Sequence, residues 1–535
     1  MQLTNTNRTD QIANEKSNGN VAKRSEIEKL VNGKEGTERI VGIEVQDNQA
    51  TLFIEESDGR ITEKLVKNKF YILLPFPERG SVKLEGNLYY KHGLQFSKKT
   101  DWNEYVQGLR KRKRDFYTCY NEKEALLIKD GYTYFKGMKH TEPSILSFDI
   151  EATGLFHDEN SKVLLISNTF RKNGRIERKL FAYDEYASQG EMLTDWAAWV
   201  KTCNPAIICG HNIYSYDLPY INYIAEKEGV ELKLGRNDSP LEISKSISKF
   251  RIDGSREQEY HKVKVYGREV IDTYFLAIKH DIATKKYDSY GLKAIIKAEG
   301  LERKNRVHYD SSQIRFNYKD NNHWTVIKEY CEHDADDALT LFDLCAPATF
   351  YLTQSIPKPF QAMVETATGS QINVMMIRSY LQDGHSIPKP DTVSKYPGAI
   401  SLGNPGIYSN CLKWDVASLY PSIILTYKVY DQDKDPKGNF LKIIEAFTKE
   451  RLKNKKLAKE TGDPYYEGLQ NAQKIVINSG YGFMGATGLH FNCLEGADFI
   501  TAKGREILTT AIEWATKEKF VYDLGKDIED EATAG

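Results

Sequence analysis

Apolar residues in this chain come in short runs first and in long periodic runs later. Ile40-Val-Gly-Ile-Glu-Val45, Ala50-Thr-Leu-Phe-Ile-Glu55 and Lys69-Phe-Tyr-Ile-Leu-Leu74 are brief runs separated by Asp, Asn and Gly, the pattern of strands joined by turns. They predict a small β-rich domain over 39–140. From 141 to 345 the pattern alternates. Ser144-Ile-Leu-Ser-Phe-Asp-Ile150, Val163-Leu-Leu-Ile-Ser-Asn168 and Ala206-Ile-Ile-Cys-Gly210 read as strands, and 191–202 and 218–225 as helices, which together make an α/β domain. The polar stretch 232–262 reads as an inserted hairpin. A connecting segment, 346–390, has a helical part at 366–381. In Lys413-Trp-Asp-Val-Ala-Ser-Leu-Tyr-Pro-Ser-Ile-Ile-Leu425 an apolar run carries Asp415 to a predicted strand end, and Pro421 suits the first turn of a helix, where its missing N–H has no partner to lose. A basic helical pair over 440–486 and a last helix over 495–518 follow. Residues 1–38 are polar without periodicity and are expected to be disordered.

Composition narrows the class. At 535 residues, two to four domains are expected, and 33 Tyr with 22 Phe supply large cores. No run approaches the roughly 20 apolar residues that span a bilayer, and the N-terminus has no apolar signal segment. A soluble cytoplasmic protein without membrane contact is expected (host cytoplasm if the source is viral). The 7 cysteines form no CxxC pair, which argues for a reducing compartment and against a zinc site. A net charge of −1 does not announce a nucleic-acid binder. Local clusters still can: Arg110-Lys-Arg-Lys-Arg114 reads either as a solvated helix face or as a phosphate contact.

Three acidic pieces carry candidate chemistry. Asp149 and Glu151 are i and i+2 on one strand, so they share a face and repel unless a cation lies between them. Hard cations such as Mg²⁺ want such oxygen ligands. Asp217 stands at the entry of a helix, an ordinary capping position, within Asn212-Ile-Tyr-Ser-Tyr-Asp217. Tyr330 and Asp334 are i and i+4 on one helix and share a face. The order DxE, Nx(3)YD, YxxxD resembles the DnaQ-like 3′–5′ exonuclease domain as it occurs in family B DNA polymerases. The resemblance implies an RNase H-like fold and two-metal phosphodiester hydrolysis, the ions about 3.5–4 Å apart. Asp149, Glu151, Asp217 and Asp334 would be the metal carboxylates, Asn212 would contact the DNA strand, and Tyr330 would orient the water.

A second constellation lies downstream. Asp415-Val-Ala-Ser-Leu-Tyr-Pro-Ser-Ile423 matches the family's motif A, DxxSLYPSI. By resemblance Asp415 would ligate metal, the backbone at Ser418 and Leu419 would approach the triphosphate, and Tyr420 would exclude a 2′-hydroxyl. Lys474, Asn478 and Tyr481 fall on one helical stripe and match motif B, KxxxNSxYG. Arg451 and Lys455 share a face of the preceding helix, where Arg451 would bind the triphosphate. Tyr396-Pro-Gly-Ala399 is similar to the YxG(G/A) element between exonuclease and palm.

The expected architecture is therefore multidomain α/β and α+β. After the β-rich N-terminal domain and the exonuclease domain (141–345) comes a partial palm in two pieces (391–438 and 487–535), flanking helical fingers (439–486). Motif C, YxDTDS, and a thumb have no counterpart in the sequence. Val521-Tyr-Asp523 has only a faint likeness to the motif C strand. Two readings stay open. In the first the polymerase is split, in the manner of some viral or archaeal replicons, and a second chain brings motif C and the thumb. In the second the chain is a stand-alone exonuclease whose palm remnant only binds DNA. The resemblance implies Mg²⁺ or Mn²⁺ as cofactor, two ions per site, and deoxyribonucleoside triphosphates as substrate. It implies primer-template and single-stranded DNA as partners, and it admits a sliding clamp.

Overall fold

The computed structural model describes residues 25–156, 158–252, 256–282, 285–366, 368–391, 397–401, 403, 406–416 and 418–521. The N-terminal region holds two antiparallel sheets. β1 (Ile40–Gln46), β2 (Gln49–Glu55) and β3 (Ile61–Lys67) form a meander. β4 (Phe70–Leu74), β5 (Val82–Lys83) and β6 (His92–Phe96) form the second, in the order β4-β6-β5, backed by the helix Lys99–Lys111.

The next sheet has five strands. β7 (Ile145–Ala152) pairs antiparallel with β8 (Val163–Lys172), which pairs antiparallel with β9 (Arg175–Ala182). β10 (Ile207–Gly210) runs parallel to β7 and to β13 (Glu269–Asp272). The polar segment expected as an insertion contains a hairpin, β11 (Glu242–Arg251) with β12 (Glu257–Lys264). Nearly every residue of β7 and β8 is buried, as expected of strands covered on both faces. One cover is the helix Asn321–Cys345. Two sheet hydroxyls fix its height: Ser147 Oγ donates to the Ala335 carbonyl at 2.9 Å and Ser167 Oγ to that of Cys331 at 2.7 Å. These bonds set the register between Asp149 on the strand and Tyr330 and Asp334 on the helix.

Downstream, the helices Asn439–Thr461 and Pro464–Gly485 pack as an antiparallel pair. Gly462 at φ +65° makes the reversal, and the Asp463 side chain caps the second helix by accepting from Tyr465 N. Both helices pack near the helix Leu419–Tyr427, and the second also contacts the helix Leu494–Thr516. Among the described residues no helix is long and apolar enough to cross a membrane.

Two expectations are corrected here. Residues 25–38, expected to be disordered, are ordered and include a helix, Glu26–Asn32. Ser25 Oγ caps it. Its C-terminal carbonyls are captured from far away: Arg378 Nη2 donates to Leu30 O and Val31 O, and Lys136 Nζ to Asn32 O. Those tertiary bonds override a polar local sequence. Residues 1–24 lie outside the described set. Asp415, expected at a strand end, sits in irregular chain over 411–416, exposed to solvent. A strand needs a neighbour to satisfy its backbone, and none pairs with this segment among the described residues. Tyr396 and the segment 522–523 are outside the described residues.

Candidate active site

The acid cluster grows from the end of β7. Asp149 and Glu151 project from one face of it, partly open to solvent. The turn after β10 comes in close beside the strand: a Cβ on Gly210 would meet Phe148 O at 2.6 Å, which reserves that position for glycine. Asn212 follows at φ +64°, a left-handed conformation that asparagine tolerates. Asp217 is the first residue of the helix Asp217–Lys227, and Tyr216 takes the cap position. The Asp217 carboxylate reaches across the sheet instead, accepting from Ile150 N at 3.2 Å. Tyr330 and Asp334 approach from the Asn321–Cys345 helix. The structure thus brings Asp149, Glu151, Asp217 and Asp334 into mutual electrostatic range.

Their environment opposes charge. Burial first, and then the charges of Asp334, Asp217 and Glu151, hold Asp149 well above the usual carboxylate range. Burial and then Asp334 push Glu151 up to about 8. Burial and then Asp272 push Asp217 up to about 8. Burial likewise raises the Tyr330 hydroxyl far above its ordinary value, so it stays protonated. Carboxylates gathered this way are stabilised in their charged form by a cation held between them. Ligand atoms of Asp149, Glu151 and Cys331 lie within 4.8 Å of one another, close enough to share an ion, so the donor set fits a divalent metal.

Sequence reasoning missed four residues here. Lys293 Nζ lies 3.3 Å from Asp334 Oδ2, contacts the Tyr330 hydroxyl, and sits 4.0 Å from the ring centroid of Tyr330. Arg306, buried, pairs with Asp334 and, through Nε at 2.9 Å, with Asp337. Asp272 accepts from Asn212 N (2.8 Å), Tyr214 N (3.0 Å) and Tyr274 N (2.9 Å), which pins the Asn212 turn. Burial lifts Asp272 to about 6 while those N–H groups oppose the rise. Cys331 Sγ lies 3.9 Å from Asp149 Oδ2. Only Asp272 has a sequence signal, as an acid that ends an apolar strand and caps the next helix.

The second constellation is looser. Ser418, at φ +55°, precedes the helix Leu419–Tyr427, and its Oγ accepts from Arg451 Nη1 at 3.1 Å. The rings of Tyr420 and Tyr481 are 4.8 Å apart, and Gly504 leaves room for the Tyr420 ring, since a Cβ there would meet it at 3.1 Å. Lys474 and Asn478 are exposed on the helix that carries Tyr481. Asp415 makes no hydrogen bond or ion pair with any of them among the described residues. The backbone of Pro397 and Gly398 is gripped by Thr501 Oγ1 (3.1 Å to Pro397 O) and Arg505 Nη1 (2.5 Å to Gly398 O). In the basic run, Arg110 lies over Tyr120 and Arg114 over Phe76, so two of its five cations are held by rings.

The model of the family B DNA polymerase exonuclease domain matches residues 116–295, and that of family B DNA polymerase matches 428–532. The DNA polymerase of Thermococcus gorgonarius is 26% identical over 438 residues, covering 74% of this chain and 54% of its own length. The DNA polymerase delta catalytic subunit of Dictyostelium discoideum is 26% identical over 422 residues, covering 68% of this chain and 38% of its own length. The chain spans about half the length of the archaeal relatives it matches. The solved family B DNA polymerase of Pyrobaculum calidifontis superposes with a TM-score of 0.69 at 19% identity, over 89% of this chain and 71% of that one, a likeness of fold.

Proposed function

Because this chain belongs to the family B DNA polymerases, we propose that it removes nucleotides from DNA 3′ ends at the β7 acid cluster and forms the nucleotide-facing part of a polymerase cleft. The convergence of Asp149, Glu151, Asp217 and Asp334 on one strand end carries the first half of the reading. When bound there, two Mg²⁺ or Mn²⁺ ions supply charge neutralisation and water activation. The four carboxylates would hold them. Asn212, exposed on a turn fixed by Asp272, meets the DNA strand. The Tyr330 hydroxyl, kept protonated by burial, orients the attacking water. Lys293 keeps Tyr330 and Asp334 together and adds a positive charge where the phosphoryl group gains negative charge. Lys293→Met is expected to slow hydrolysis of single-stranded DNA about 10²-fold, with little change in melting temperature because the lysine lies at the surface, 44% of its side chain exposed, and methionine keeps its apolar stem. An unchanged rate would remove Lys293 from the mechanism.

In the polymerase half, Arg451 and Lys474 bind the triphosphate, and the Ser418–Leu419 backbone lies along it. Tyr420, braced by Tyr481, selects the deoxyribose, and Asn478 faces the incoming nucleotide. Asp415 supplies one metal carboxylate. The second, together with the thumb, comes from sequence outside residues 1–535, on a separate chain in the split reading. The stand-alone exonuclease reading draws support from the irregular segment around Asp415. Primer extension decides. Residues 1–535 alone are expected to degrade single-stranded DNA with Mg²⁺ or Mn²⁺, to stop in EDTA, and to extend no primer. Adding a polypeptide that carries a YxDTDS strand and thumb restores extension in the first reading and changes nothing in the second. Extension by residues 1–535 unaided would overturn the missing-carboxylate argument.

A further inference from the structure

Two arginines outside both clefts, Arg268 buried and Arg236 half-buried, sit side by side. Arg236 and Arg268 lie where the β2–β3 meander meets the five-stranded sheet, lining a cavity of about 180 Å³. Arg268 is 3% exposed. It donates through Nε to Leu234 O (3.0 Å) and through Nη1 to Asn204 Oδ1 (2.9 Å) and Pro205 O (2.5 Å). Arg236 donates to Gly267 O (2.9 Å) and Pro205 O (2.9 Å), and also to Asn204 Oδ1. The two guanidiniums therefore share the same neutral acceptors side by side.

Buried charges normally come with a partner of opposite sign. Neither arginine forms an ion pair among the described residues. Two acids act on Arg236 without pairing with it: Glu55, whose oxygens both accept from Ser144 N at 2.9 and 3.0 Å, and Glu63. The lining carries Arg236, Arg268 and Lys201, the last paired with Asp238, and one acid, Glu63. Burial draws Arg268 down to about 8, with repulsion from Arg236 adding to it, and draws Arg236 down to about 10. The pair is rigid. The Phe53 ring lies 5.2 Å from the Arg236 guanidinium, and a Cβ on Gly267 (φ +73°) would strike Arg236 Cδ at 2.7 Å. Arg268 Nη2 makes no hydrogen bond among the described residues, so one edge of its fork remains to donate.

We propose that this cavity binds a phosphate group, either inorganic phosphate or the phosphate of a nucleoside monophosphate. Paired guanidinium forks match phosphate oxygens in geometry and charge. The pocket opens to solvent and has room for a phosphate with a few waters, and any sugar and base would extend outward beside the half-buried Ile61 and the exposed Glu63. The site does not depend on the hydrolytic reading.

Calorimetric titration of the full chain in EDTA, at constant ionic strength, tests it with phosphate, thymidine 5′-monophosphate, thymidine and chloride. Phosphate and the monophosphate are expected to bind, and thymidine and chloride are not. Tighter binding of the monophosphate identifies a nucleotide as the ligand, and equal binding identifies free phosphate. Glu63→Gln removes the opposing acid from an exposed strand position and is expected to tighten phosphate binding about three- to tenfold; Lys201→Gln is expected to weaken it about threefold. Arg268→Met should weaken it more than tenfold. If that variant fails to fold, the two surface variants still decide. Phosphate binding no tighter than chloride, or unmoved by Glu63→Gln, overturns the proposal.

Discussion

Asp149→Ala is expected to cut the rate of single-stranded DNA hydrolysis by about 10³-fold at saturating Mg²⁺, a loss in the range set by removing one preorganised group from a charged transition state. The geometry says why the effect falls on rate and not on folding. Asp149 has the charges of Asp334, Asp217 and Glu151 against it and forms no ion pair among the described residues, so its removal relieves repulsion. The melting temperature in EDTA should hold or rise. Asp334→Ala makes the informative contrast. Asp334 holds Arg306 and Lys293, and Arg306 is buried, so its loss leaves a guanidinium with only Asp337 as its acid. That variant should lose activity and also about 2 kcal/mol of stability. Gel-resolved degradation of an end-labelled oligonucleotide, read beside denaturant unfolding, measures both. Full activity in Asp149→Ala would sink the metal assignment.

How far such a site can be read from sequence depends on how local its contacts are. Asp149 with Glu151, and Tyr330 with Asp334, are neighbours by strand and helix periodicity, so their shared faces follow from spacing alone. Lys293 meets Tyr330 across 37 residues, Arg306 meets Asp334 across 28, and Asp272 holds Asn212 across 60. No period links these, and Lys293 and Arg306 look like ordinary surface charges until the chain has folded, while Asp272 shows only as an acid that ends an apolar strand and caps a helix. Strand and helix alternation over 141–345 was legible because buried strands need unbroken apolar runs. The expectation for Asp415 failed for a related reason. An apolar run becomes a strand only when a neighbouring strand accepts its hydrogen bonds, and for 411–416 none is present among the described residues. Trp414 instead leans on Trp514, with ring centroids 5.0 Å apart, and both remain more than half exposed. The helix Glu26–Asn32 shows the opposite failure, a polar segment ordered by Arg378 and Lys136 from distant parts of the chain.

The acid cluster should also make the metal-free protein less stable as pH rises. Glu151 and Asp217 titrate near about 8 when folded, against ordinary values of 4.5 and 3.8. Below about pH 4 both states carry the protons and the cluster contributes nothing. Between about 4.5 and 8 the unfolded chain has released protons that the folded chain still binds, so each step up in pH favours unfolding, and the loss levels off above about 8. Two coupled groups shifted this far represent on the order of 3 kcal/mol between pH 5 and pH 8. Metal ions require the deprotonated ligands, so their affinity climbs over the same window and opposes the loss. Urea unfolding in EDTA should therefore give a lower stability at pH 8 than at pH 5, and Mg²⁺ should restore part of it at pH 8 and little at pH 5. Glu151→Gln isolates the cluster from every other titrating group. It should stabilise the EDTA form at pH 8 by about 1–2 kcal/mol, flatten the pH dependence, shrink the gain from Mg²⁺, and remove hydrolysis. A Glu151→Gln protein with the parent's pH profile and the parent's response to Mg²⁺ would show that these carboxylates do not titrate as one metal-binding unit.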